Sequence, residues 1–90
     1  MRTVIYKYAL RRLPEQTILM PALSRLLSVA IADGDFFVWA AVDPGARNVA
    51  RRFLLWPTGE PFPRGWSDDG YLGTVREGSY LWHVFDGGEM

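Results

Sequence analysis

Ninety residues of zero formal net charge, 49% apolar and 14% aromatic, describe one globular domain and exclude a disordered segment or a general polyanion binder. A chain this short hides only about 60–65% of the surface its unfolded form exposes, which leaves no room for a second core. Cysteine is absent, so disulfides and thiolate metal sites are excluded and packing must hold the fold, if necessary across a subunit interface.

Short period-2 runs separated by turn residues predict an all-β domain. In the first strand Val4, Tyr6, Tyr8 and Leu10 alternate with Thr3, Ile5, Lys7 and Ala9. A second short strand covers 17–20 and is ended by Pro21, which has no N–H for a ladder. In SVAIADGDFFVWAAV, Asp33-Gly34 separates two apolar runs and predicts a two-residue hairpin. That turn pairs Leu27 with Ala40, Val29 with Val38 and Ile31 with Phe36 on one face. On the other it pairs Leu26 with Ala41, Ser28 with Trp39 and Ala30 with Phe37, and this second apolar face calls for a cover: a second sheet, a subunit or a ligand. A helical alternative exists, because Leu23, Leu26, Leu27 and Ala30 also fit helical spacing between Pro21 and Gly34. Agreement between turn type and pairing on both faces favours strands.

Asp43-Pro44-Gly45 reads as a turn, and a strand over 49–56 returns from it. The Pro- and Gly-rich stretch 57–70 predicts a loop longer than compact domains usually carry, of the kind often given to function. A final hairpin joins 71–75 to 79–85 around Glu77-Gly78, which places Gly73 across from Trp82 and Leu72 across from His83. The expected fold is a small antiparallel β-sandwich or open barrel of about six to seven strands, a single domain over 1–90. The N-terminus lacks the pattern of a signal peptide. The apolar region 18–42 is interrupted by Pro21, Arg25 and Asp33-Gly34-Asp35, so it does not read as a membrane-spanning helix.

Charge is unevenly placed. Residues 1–32 carry five basic side chains against one acidic, and 66–90 carry one basic against five acidic. Either the two ends lie side by side, or they meet head to tail between subunits of a homo-oligomer. His83, the only histidine, reads as a packed side chain: a Ser79, His83, Asp86 set crowds its members along one strand, and no catalytic residue is assigned. Asp68 and Asp69 lack the recurring Asp-x-Asp spacing of a calcium loop, so no metal or other cofactor is expected. Arg51 and Arg52 point to opposite faces of a strand, where one of them could meet phosphate. Basic residues beside Phe37, Trp39, Trp56 or Trp66 could hold a nucleotide by stacking and charge. Trp66, an aromatic side chain in the long loop, is the leading contact for a ligand or partner. The candidate binding residues are therefore Trp66, Arg51, Arg52, Phe37 and Trp39.

The succession Lys7-Tyr8, Met20-Pro21, Trp39-Ala40 with Val42-Asp43-Pro44, Gly73-Thr74 and Trp82-His83-Val84-Phe85 resembles a family of small uncharacterised proteins encoded by tailed bacteriophages and prophages. The likeness spans nearly the whole chain and departs at Trp56-Pro57, where the family pattern has a Gly-Thr-Gly type of loop. It implies a setting in the host cytoplasm or the virion and no particular chemistry. The function expected is that of a phage accessory protein that binds a host or phage component without catalysis, in host interaction or anti-defence. The alternatives are an oligomeric pocket protein that sequesters a nucleotide-like ligand and a minor virion component.

Overall fold

The computed structural model describes residues 2–90. Its strands are β1 (Val4–Leu10), β2 (Glu15–Pro21), β3 (Arg25–Ala32), β4 (Asp35–Val42), β5 (Asn48–Pro57), β6 (Tyr71–Glu77) and β7 (Tyr80–Glu89), with a 3-10 turn at Asp68–Gly70. All strand pairs are antiparallel, in a three-stranded sheet of order β1-β4-β3 and a four-stranded sheet of order β2-β5-β7-β6. The two pack as a sandwich, one of the two architectures expected, and the segment that also fitted helical spacing leads into β3.

Period-2 alternation builds the core. Phe36, Val38, Ala40 and Val42 point inward from β4 and are buried, whereas Phe37, Trp39 and Ala41 point outward and stay half-exposed. From the other sheet Phe53, Leu55, Val75 and Val84 meet Phe36 and Val38 in one cluster, closed by Leu10 and Met20. Burying a large apolar side chain of this kind contributes about 1.5–3 kcal/mol.

Asp33 (φ 52°) and Gly34 (φ 83°) form the hairpin turn, both with the positive φ that a type I′ turn demands. The predicted register holds from Ala32 to Ser28 and then breaks. A bulge at Leu27 pairs Leu26 with Ala40 and Arg25 with Ala41, so the expected Leu27–Ala40 and Leu26–Ala41 pairs do not form. The extra residue resets the alternation: Leu26 packs on the core beside small Ala40, and Leu27 turns to solvent, 42% exposed.

Three further boundaries differ from expectation. β2 starts at Glu15 and includes Pro21, which is its last residue and lies opposite Asn48. The last hairpin turns at Gly78-Ser79, one residue later than expected, because its first central position needs a positive φ that Gly78 supplies (60°) and Glu77 would resist. Gly73 consequently faces Val84, Trp82 faces Val75, and His83 faces Thr74. The missing side chain of Gly73 serves the other sheet, since a Cβ there would lie 3.0 Å from Cγ2 of Val29 in β3.

Candidate functional site

The outer faces of the two sheets are treated differently. On the four-stranded sheet Leu54 and Phe85, paired across β5 and β7, point away from the sandwich core yet are buried, because the 58–70 loop folds over them. Phe62 of the loop meets Phe85 edge-on at 5.0 Å, and Tyr71 lies beside it, tilted by 57°, at 5.5 Å. Trp66 pins the loop down. The Arg52 guanidinium lies 4.4 Å over its ring, its indole N–H donates to Glu15 at 2.8 Å, and its six-membered ring lies against Gly87, where a Cβ would come within 2.6 Å. Gly70 sits on the β7 backbone so closely that a Cβ would approach the Asp86 carbonyl oxygen to 1.9 Å. The long loop is thus a roof, and Trp66 and Arg52 are its fastening.

The three-stranded sheet has no such roof. Its outer face carries Phe37 and Trp39 at 6.0 Å from each other, with the Lys7 ammonium 4.4 Å from the Phe37 ring. Ile5 (64% exposed) and Leu27 flank them, and Ile5, Leu27, Ser28, Ala30 and Trp39 line a shallow hollow. Where β1 and β3 begin and β4 ends, a deeper cleft of about 450 Å³ opens, floored by Ala22, Ala41 and Ala46 and rimmed by Leu23, Arg25 and Arg47. Contiguous exposed apolar surface on a small protein marks a site of interaction.

The five sequence-predicted binding residues do not converge on one pocket. Trp66 and Arg52 meet under the roof; Phe37 and Trp39 lie together on the opposite outer face; Arg51 points into the end of the sandwich. Arg51 holds Asp86 in a bidentate pair (Nε to Oδ1 2.9 Å, Nη2 to Oδ2 2.7 Å) and donates to the Ser24 carbonyl at 2.9 Å, with its side chain 12% exposed. Burial pushes the Asp86 carboxyl up, but the hydrogen bonds from Arg51 and from the Gly88 N–H, with the Arg51 charge, more than offset this and hold it below its ordinary value. This ion pair ties β5 to β7 and to the β2–β3 turn.

His83 lies outside the core on β7 with both ring nitrogens occupied: Nε2 meets Thr58 Oγ1 at 2.6 Å and Nδ1 meets Thr74 Oγ1 at 2.9 Å. Asp86 is turned toward Arg51, and Ser79 lies in the last turn, so the Ser79, His83, Asp86 set is not assembled. Asp68 and Asp69 belong to the 3-10 turn, and among the described residues no cluster of three metal-ligating side chains exists. The charge asymmetry is partly resolved within the chain, where Arg12 pairs with Glu77 and also donates to the Gly34 carbonyl.

Sequence reasoning missed Leu23. It is 88% exposed and adopts φ 62°, a conformation an ordinary side chain resists, in a turn whose sequence Pro-Ala-Leu-Ser contains no glycine or asparagine to announce it. Arg25 and Arg47 were missed as well, since they come together only through the sandwich.

The chain belongs to the family described as a domain of unknown function, DUF7352, which matches residues 1–89. No curated protein and no solved structure matches it.

Proposed function

We propose that this member of the DUF7352 family is a binding protein whose working surface is the unroofed outer face of the three-stranded sheet. The observation that carries the reading is the contrast between the faces: the same small domain folds a long loop over Leu54 and Phe85 on one sheet and leaves Ile5 and Leu27 exposed and Phe37 and Trp39 half-exposed together on the other. Such a surface gains most by burying its aromatic pair against a protein partner. The reading includes no catalytic step, in keeping with a histidine clasped by two threonines. Its setting is that of a phage accessory protein engaging a host or phage component, which rests on the resemblance of the Lys7-Tyr8 to Phe85 motifs.

The test compares tagged protein with its Trp39→Thr variant in host lysate. Recovery of a stoichiometric partner by the parent and its loss in the variant, with the variant still cooperatively folded, is the expected result. Equal recovery by both, or none by either, overturns the reading, and presence of the protein in mass spectra of purified particles would transfer it to the virion.

A further inference from the structure

Resting on the reading of the open face as a docking surface, we propose that the cleft at its end is where the partner is recognised, and that it takes an acidic residue adjacent to an apolar one, supplied by a peptide segment. The cleft continues the face, since Arg25 and Ala41 lie opposite each other in the β3–β4 ladder and also line it. Its floor is built from three alanines, which leave room for a hydrocarbon side chain of the partner. Arg25 and Arg47, both exposed, also line the cleft, and among the described residues neither is in an ion pair. The one carboxylate lining the cleft, Asp43, accepts from the Gly45 N–H at 3.0 Å.

Leu23 supplies the second observation. Its turn is held from three sides: Ser24 Oγ donates to the Pro21 carbonyl at 2.6 Å, the Ala22 N–H to the Arg47 carbonyl at 2.8 Å, and the Leu23 N–H to Glu89 at 2.5 Å. These bonds hold a leucine in a left-handed backbone conformation where glycine would be free of strain, with its side chain in water beside the two arginines. Neither folding nor solubility benefits from that choice. A partner that covers the leucine does. Phosphate or a nucleic-acid backbone would satisfy the arginines and leave the alanine floor and Leu23 unused, whereas an Asp or Glu flanked by an aliphatic or aromatic residue uses all of them.

The experiment is selection of a displayed random dodecapeptide library against the protein, followed by affinities of the enriched peptides for four proteins: parent, Arg25→Ala/Arg47→Ala, Leu23→Gly and Trp39→Thr. Enriched sequences should carry an acidic residue next to an apolar one, bind the double arginine variant at least ten-fold more weakly, and bind Leu23→Gly at least five-fold more weakly. Leu23→Gly should at the same time melt no lower than the parent, which separates lost recognition from lost folding. Enrichment of basic or uncharged peptides, arginine variants that bind within two-fold of the parent, displacement by inorganic phosphate, or occupation of the cleft by a second copy of the chain overturns the proposal. If Trp39→Thr abolishes peptide binding while the arginine variants retain it, the cleft assignment fails and the open-face reading stands. If no variant affects the enriched peptides, both fail.

Discussion

The two outer faces of this sandwich begin from the same problem and end differently. Each sheet is apolar on both sides, and the shared core satisfies only the inner ones. The four-stranded sheet covers Phe85 with Phe62 and Tyr71 and fastens the loop through Trp66 on Arg52, leaving Leu19 of β2 exposed. The three-stranded sheet keeps Phe37 and Trp39 half-exposed between Ile5 and Leu27. The difference teaches that a long loop can close a sheet's outer face as another layer would. Trp66 is held there by Arg52, Glu15 and Gly87, and with Arg52 it also lines two shallow surface hollows.

Breaking the roof should have the largest effect. Gly70→Ala puts a methyl into the β7 backbone and is expected to destabilise by about 4 kcal/mol in urea unfolding, since backbone on both sides cannot yield. A loss under about 1 kcal/mol would mean that the loop lifts at little cost.

Next comes the ion pair that anchors β7 beneath it. Asp86→Asn removes the bidentate partner of Arg51, leaving it only Glu89 at 3.9 Å as a charged partner, and should cost about 3 kcal/mol at neutral pH. Because the Asp86 carboxyl is held below its ordinary value, its stabilisation is fully present above the unfolded carboxyl value of about 3.9 and fades as pH falls through the lower folded value. The melting-temperature gap between parent and variant should therefore be wide at pH 7 and close below pH 4. A gap unchanged at pH 2 would assign the loss to packing.

The smallest effects compare the faces directly. Trp66→Ala removes the fastening and is expected to cost about 2 kcal/mol, whereas Trp39→Thr, on the open face, should cost under about 1 kcal/mol. Equal losses would erase the distinction between a roofed and an open face.

Much of the site was legible in part. Phe37 and Trp39 could be placed together on one outward face, since alternation from the Asp33-Gly34 turn fixes which residues share a side. Arg51 and Arg52 separated as strand geometry requires, but nothing local tells which of the two turns inward to Asp86. Leu23 could not be foreseen. A leucine takes a left-handed conformation only when surrounding bonds impose it, and here they come from Arg47 and Glu89, distant in sequence.

By itself the order of residues determined the all-β class, its about six to seven strand-forming runs and the tight turn at Asp33-Gly34, because pleat period and turn φ are properties of neighbours along the chain. Tertiary structure alone decided the bulge at Leu27, the closure of the 58–70 loop over Leu54 and Phe85, and the gathering of Arg25, Arg47 and Leu23 around one cleft. Those outcomes depend on which surfaces the packed sheets leave empty, and an empty surface exists only once residues far apart in sequence have been brought together.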